Sequence, residues 1–151
     1  MIYPIVIYGS PVLRKKSVNI DPDYPELGKL IDDMYLTLAE AEGVGLAAPQ
    51  IGINRRVVAV QRFDKEGEPF EVYPNISIIE TSGELAPGPE GCLSVPHQRQ
   101  EVMRHTWVTI RYYSHEQKSV VQERIEGFTA VIFQHEVDHL GGVLYIDRVQ
   151  Q

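Results

Sequence analysis

The chain has 151 residues, 43% of them hydrophobic, and this length and composition favour one domain over residues 1–151 with a substantial core. Its formal net charge of −7 argues against direct nucleic-acid binding, because that function needs clustered lysine and arginine side chains to neutralise phosphates. The single cysteine excludes an intrachain disulfide. Because no secretory leader and no apolar run of membrane-spanning length is visible, we expect a cytoplasmic protein without membrane contact.

The first predicted element is an amphipathic helix that ends before Gly43. Its apolar residues recur at steps of three and four, which places them on one face: Leu27, Leu30, Ile31, Met34 and Leu38. The segment GVGLAAPQIG, residues 43–52, follows directly. Its early glycines would let the backbone approach a ligand closely, and the Gln50 amide could donate a hydrogen bond to a developing oxyanion. Taken alone, the same pattern is also typical of a glycine-rich turn with an exposed glutamine.

Four strands are predicted next, from segments rich in β-branched and aromatic residues: 55–63, 71–80, 102–113 and 119–128. The polar tetrapeptides DKEG and SHEQ separate the members of two strand pairs and predict antiparallel hairpins. A second helix, over residues 129–140, is predicted to end at Gly141 and Gly142. The expected fold class is therefore α+β.

The second predicted helix carries the motif QHEVDHLGG, residues 134–142. Residues four apart lie on the same face of a helix, so the imidazoles of His135 and His139 can reach one metal ion. Glu136 would lie beside that pair, placed to act as a general base on a metal-bound water without being a ligand. The alternative is a chance pattern on a buried helix. It is disfavoured because buried polar groups without partners cost about 1 to 3 kcal/mol each, and a metal supplies the partner.

A third metal ligand must come from elsewhere in the chain. Metzincin proteases have a histidine three residues after the glycine that follows the helix, but here that position is Tyr145. Cys92, within PEGCLSVP, is another candidate donor, since glycine and proline shape the backbone around it and no second thiol competes for it. A solitary cysteine is more often an inert core residue. As a ligand, Cys92 would complete a set of one sulfur and two nitrogens with a fourth position left for water, which is typical of catalytic sites.

Three segments, GVGLAAPQIG, EGCLSVP and QHEVDHLGG, resemble in their order and spacing the signature motifs of the peptide deformylase family. GSPVLRKKS near the start and GVLYIDR near the end also resemble this family, so the resemblance covers nearly the whole chain. It implies antiparallel β-sheets packed around a central C-terminal helix that carries the HExxH motif, with one N-terminal helix. It also implies a hydrolase that removes the formyl group from N-formylmethionine at the N-terminus of new polypeptides and releases formate.

The resemblance assigns roles to individual residues. Three match the metal ligands of the family: Cys92, His135 and His139. The implied cofactor is one divalent ion, Fe²⁺ in the cell, with Zn²⁺, Ni²⁺ or Co²⁺ as substitutes in purified protein. Glu136 matches the acid/base that deprotonates the metal-bound water and then protonates the departing amine, while Gln50 and the backbone N–H of Leu93 match the oxyanion donors. Six further positions match the methionine pocket and peptide groove: Val44, Gly45, Leu46, Gly91, Val131 and Ile132.

The implied partners are nascent N-formylmethionyl peptides. Many bacterial relatives continue into a C-terminal helix used for ribosome docking, whereas this sequence stops after IDRVQQ, which leaves a transient ribosome contact open. His97 stands where many relatives have glycine or an acidic residue. Two other functions share part of the pattern. A zinc endopeptidase of another lineage would need a downstream carboxylate or histidine ligand, and a catalytically inactive protein would bind metal or peptide without turnover.

Overall fold

The computed structural model describes residues 1–149, apart from the side chain of His97, so the departure at that position lies outside the described side chains. The helices are α1 (Leu27–Glu40) and α2 (Gly127–Leu140), with short 3₁₀ turns at Pro11–Arg14, Ala48–Ile51 and Tyr145–Arg148. The strands are β1 (Gly45–Ala47), β2 (Val57–Gln61), β3 (Phe70–Pro74), β4 (Ser77–Thr81), β5 (Leu85–Cys92), β6 (Val95–His105), β7 (Trp107–Ser114) and β8 (Ser119–Glu126).

The strands form three antiparallel sheets, with strand orders β1-β2-β3, β4-β7-β8 and β5-β6. Helix α2 contacts strands of all three sheets, whereas α1 packs against β1, β2 and β3. This arrangement confirms the expected α+β fold, in which antiparallel sheets surround the C-terminal helix. In the described part of the chain, no helix is both long enough and apolar enough to cross a membrane.

Both helices follow from their sequence patterns. The apolar stripe of α1 is buried through Leu27, Met34 and Leu38, which pack against the first sheet in one core cluster. Helix α2 is buried on several sides, because it lies between sheets, and Phe133 lies fully within a second cluster. It begins at Gly127, two residues earlier than predicted, where a positive φ of 69° turns the chain from β8 into the helix.

The two predicted hairpins are confirmed, because β2 pairs with β3 across DKEG and β7 pairs with β8 across SHEQ. Two predicted strands are each divided in the structure. Segment 71–80 is interrupted at Asn75, which has a φ of 56° and bonds the backbone N–H and C=O of Ile20 through its side chain. Segment 102–113 is interrupted at Thr106, whose backbone N–H donates to the hydroxyl of Ser82 at 2.9 Å. Side-chain contacts distant in sequence therefore decide where these strands end.

The β5-β6 hairpin was not predicted, although it carries Cys92. Strand β5 has the sequence LAPGPEGC, which contains two prolines and two glycines and no β-branched residue, so its local signal favours a loop. Its pairing with the long strand β6 makes it a strand. The hairpin closes through Leu93 and Ser94, which places Cys92 at the end of β5.

Candidate metal centre and active site

Helix α2 and the β5-β6 hairpin bring the functional side chains together. The helix carries His135, Glu136 and His139, and the hairpin carries Cys92. Gln134 fixes one element to the other: its side-chain oxygen accepts a hydrogen bond from the backbone N–H of His105 at 2.9 Å, and its Nε2 donates to the backbone C=O of His105 at 2.8 Å. Because His105 ends β6, this pair of bonds sets the position of the helix along the hairpin.

Three potential metal donors converge at this junction. Ligand atoms of Cys92, His135 and His139 all lie within 4.8 Å of one another, and the Cys92 Sγ is 3.3 Å from the His139 Nε2. Sulfur and nitrogen ligands of a tetrahedral zinc or iron ion lie about 3.6 Å apart, given metal–ligand bonds of about 2.3 and 2.05 Å. Among the described residues, no other group of His, Cys, Asp and Glu side chains meets in this way.

The donor set fits a transition-metal ion. One thiolate and two imidazoles suit Fe²⁺ or Zn²⁺, and three protein ligands leave room for water or substrate. The Nδ1 of His135 bonds the Oε1 of Glu90 at 2.9 Å, which leaves its Nε2 as the nitrogen available to a metal. The Oε1 of Glu136 is buried beside this set without a hydrogen-bond partner, as expected of a carboxylate whose partner is a molecule bound at the centre.

Glu90 was not singled out from the sequence. Arg104 donates to both of its carboxylate oxygens, at 2.7 and 2.9 Å, and both side chains are almost fully buried. Burial opposes the charge on Glu90, but the bonds to Arg104 and His135 outweigh it and lower the pKa of this carboxyl to about 2. Glu90 is therefore an ionised acceptor that fixes the orientation of the His135 ring.

The electrostatics of the centre favour a bound cation. Burial opposes protonation of His135, but Glu136, Cys92 and Glu90 overcome it and raise the pKa of this imidazole to about 10. Burial and the neighbouring His135 lower the pKa of His139 well below its usual value. The surroundings thus stabilise one positive charge near the two rings, and a metal ion competes with the proton for the same nitrogen.

Glu136 lies at the floor of the site, almost fully buried. Its burial raises the pKa of this carboxyl to about 7, which suits a group that must accept and release a proton near neutral pH. Gly45 makes room for it, since a Cβ at position 45 would lie 2.9 Å from the Glu136 Cδ. Gly45, in the GVGLAAPQIG segment, therefore allows the Glu136 carboxylate to lie close to the backbone of β1.

Gln50 faces the same centre from the 3₁₀ turn after β1. The backbone N–H of Ala47 donates to its Oε1 at 2.9 Å, which orients the amide so that the Nε2 points inward. That Nε2 lies 3.1 Å from the Ser94 hydroxyl and 3.4 Å from the Cys92 Sγ. The side chain is 1% exposed, so the amide is held as a fixed donor beside the metal donors.

A cleft of about 710 Å³ opens beside the centre, within the usual size range of ligand pockets. The structure places nearly all of the predicted site residues along it: Val44, Gly45, Gln50, Gly91, Cys92, Leu93, Val131, Ile132, His135 and Glu136. His139 is fully buried behind the cleft. Leu46 does not line the cleft, because neighbouring residues of a strand point to opposite faces and its side chain packs in the core beside α1.

Other cleft residues had no sequence signal. Phe128 is 57% exposed at the mouth, and its ring lies 5.5 Å from that of Phe63. Phe128 is the last residue of the predicted strand 119–128, and the sequence there gives no sign of a role in ligand binding. Glu42 and Arg99 also line the cleft as exposed charged residues. Phe128 lies in α2, because β8 ends at Glu126, two residues before the end of the predicted strand.

Comparisons with known proteins agree with the geometry of the site. The family model described as polypeptide deformylase matches residues 2–151. The chain is similar to the peptide deformylase of Heliobacterium modesticaldum, with 43% identity over 99% of this chain and 95% of the relative. It is also similar to that of Christiangramia forsetii, with 41% identity over 99% of this chain and 82% of the relative.

Solved structures give the same result. The crystal structure of peptide deformylase from Thermotoga maritima has a TM-score of 0.91 and 37% identity, covering 100% of this chain and 99% of that one. A class I type b peptide deformylase from Acinetobacter baumannii, solved with Met-Ala-Ser bound, has a TM-score of 0.90 and 35% identity over 99% of both chains. The chain therefore belongs to the polypeptide deformylase family.

Proposed function

We propose that this chain, acting as one metallohydrolase domain over residues 1–151, removes the formyl group from N-formylmethionine on nascent polypeptides in the cytoplasm. The observation that carries the proposal is the buried carboxylate of Glu136, which has an unpartnered oxygen beside the converging Cys92, His135 and His139 side chains. The tripeptide in the Acinetobacter baumannii structure begins with methionine, which supports a methionine-first peptide as the occupant of the cleft.

Peptide deformylases are metalloenzymes, and in this chain Cys92, His135 and His139 would hold the ion. We propose Fe²⁺ in the cell and Zn²⁺, Ni²⁺ or Co²⁺ as substitutes in purified protein, since a thiolate with two imidazoles suits all of them. A divalent ion held there would supply Lewis acidity, which lowers the pKa of water towards neutrality and polarises a carbonyl group.

The protein's own groups handle the protons and the developing charge. Glu136 accepts one proton of the attacking water as the water oxygen bonds to the formyl carbon. The Gln50 amide and the Leu93 backbone N–H donate hydrogen bonds to the oxyanion. The C–N bond then breaks as Glu136 returns the proton to the departing amine, and the products are formate and a peptide with a free amino group.

The lining of the cleft is suited to this substrate. Val44, Val131 and Ile132 offer an apolar surface for an unbranched methionine side chain, and Gly45 and Gly91 line the same cleft. A formyl group has hydrogen where an ordinary acyl group has carbon, so a tight site admits it and excludes larger acyl groups.

The test is formate release from N-formyl-Met-Ala-Ser under anaerobic conditions with Fe²⁺, repeated with Ni²⁺. We expect turnover with both ions and far less from N-acetyl-Met-Ala-Ser. Cleavage of internal bonds in an unblocked peptide would instead identify an endopeptidase. Full metal loading without turnover would identify a metal or peptide binder.

Replacing Gln50 with alanine should lower kcat for formate release by about 100- to 1,000-fold, because one donor to the oxyanion is lost. Bound metal should remain near one ion per chain, as measured by elemental analysis. Gln61→Ala is a suitable control, since the Gln61 amide bonds the Glu68 carbonyl and its side chain does not line the cleft. Loss of metal together with activity would mean that Gln50 mainly supports the thiolate.

Replacing Gly45 with alanine should lower formate release by about 100-fold, because the added methyl group displaces the Glu136 carboxylate from its working position. Gly88→Ala is the matched control: a Cβ at position 88 meets no atom within 4 Å. Steady-state rates of both variants, with melting temperatures, check the prediction. Equal activity of the two variants would contradict it.

A further inference from the structure

The 3₁₀ turn Tyr145–Arg148, here called the terminal turn, packs against the ligand His135. The Tyr145 ring is 1% exposed and lies roughly parallel to the His135 imidazole, with ring centroids 5.9 Å apart and an interplanar angle of 28°. Its hydroxyl donates to the Gln98 carbonyl in β6 at 3.3 Å. The terminal turn therefore supports one face of this ring.

A second contact from the terminal turn reaches the same ring through a series of charged side chains. Arg148 donates through two nitrogens to Asp138, with the Nη2–Oδ1 bond at 3.0 Å. The Asp138 carboxylate also accepts from the Arg104 Nη1 at 2.7 Å. Arg104 uses its other two nitrogens to bind Glu90, which bonds the His135 Nδ1. The series runs from a half-exposed arginine to a buried metal ligand.

The charges along this series balance. It contains two carboxylates, Glu90 and Asp138, and two guanidinium groups, Arg104 and Arg148. Arg104 is 4% exposed and cannot recruit water readily in place of a lost partner. Without Arg148, two carboxylates would compete for one buried guanidinium, and Asp138 would draw Arg104 away from Glu90.

We infer that Arg148 is a positioning residue for His135: acting through Asp138, Arg104 and Glu90, it keeps the ligand nitrogen aimed at the metal centre. The inference rests on the proposed metal site. Groups that hydrogen-bond the ring nitrogen of a histidine ligand that does not bind the metal typically contribute 10- to 100-fold to metal affinity. Arg148 is more distant than Glu90, so its effect belongs at the lower end of that range.

Arg14 provides a matched control. It also forms a two-nitrogen bond with an aspartate of the terminal turn, Asp147, and its side chain is 44% exposed against 47% for Arg148. Asp147 otherwise accepts only from the Leu144 backbone N–H among the described contacts, so it has no link to His135. Arg14→Gln thus removes a comparable anchor of the same turn, together with the Arg14 bond to the Gly142 carbonyl, without breaking a bond of the series.

The experiment titrates metal-free protein with Co²⁺ and records the visible spectrum of the bound ion. We expect Arg148→Gln to weaken Co²⁺ binding by about 10-fold and to shift the ligand-field bands, and Arg148→Lys to recover part of both changes. Arg14→Gln should lower the melting temperature by a similar amount and leave the Co²⁺ affinity and spectrum unchanged.

Equal weakening of Co²⁺ binding by both glutamine variants would overturn the inference, since it would reflect general loosening of the turn. An unchanged affinity and spectrum in Arg148→Gln would overturn it as well. Neither readout depends on hydrolysis. A wild-type protein that binds Co²⁺ through Cys92 without releasing formate would therefore refute the proposed activity while leaving this test of Arg148 valid.

Discussion

Replacing Glu136 with glutamine is expected to reduce formate release on the order of 100- to 10,000-fold while the protein keeps its metal. Glutamine has nearly the same shape as glutamate but cannot accept a proton from water. Because Glu136 is not among the three converging donors, the metal site should survive the substitution. The measurements are kcat with N-formyl-Met-Ala-Ser and metal content by elemental analysis.

Glu116→Gln is the control for this variant, since Glu116 is an exposed carboxylate in the turn between β7 and β8. It makes the same change of charge and should retain wild-type activity. A Glu136→Gln protein with more than about a tenth of the wild-type rate would be inconsistent with a general-base role. Another group, or water alone, would then have to accept the proton.

Replacing Cys92 with serine is expected to weaken metal binding by more than about 100-fold, more than the loss of a supporting residue behind a ligand would cause. A serine hydroxyl is a poor ligand for Fe²⁺ or Co²⁺ because it stays protonated at neutral pH, whereas the thiol ionises on binding. Activity should be lost together with the metal. Co²⁺ titration measures the affinity directly.

The chain contains one cysteine, which makes the Cys92 experiment unambiguous. Any thiolate-to-cobalt charge-transfer absorption in the wild-type protein must come from Cys92, and it should be absent from the serine variant. Retention of full metal content and activity by Cys92→Ser would show that the thiol is a core residue. The proposed set of ligands would then need another member.

Much of the fold could be predicted because its signals are local. The apolar stripe of α1 and the two hairpin turns depend on residues a few positions apart, and the structure confirms them. The spacing of His135 and His139 belongs to the same class of signal, since a single helical turn brings the two rings together. The placement of Cys92 beside them agrees with the sequence motifs, although no local rule joins segments so far apart.

The features that were missed depend on contacts between distant segments. Glu90, Arg104 and His135 meet only because the β5-β6 hairpin lies along α2, and each of them is an ordinary polar residue in its own segment. Strand β5 is stabilised by its partner against its own composition. Leu46 was assigned to the substrate site as part of a contiguous motif, but strand alternation turns its side chain to the opposite face.

The contact between Gly45 and Glu136 limits how this site can change in evolution. Any side chain at position 45 would collide with the Glu136 side chain, so that position can vary only if this side chain moves. An aspartate at 136 would not relieve the collision by itself, because its carboxyl carbon would take the place of the Glu136 Cγ, which also lies 2.9 Å from the added Cβ. Two codons far apart in the gene are thus tied together, because a larger residue at position 45 requires a change that repositions the side chain at 136.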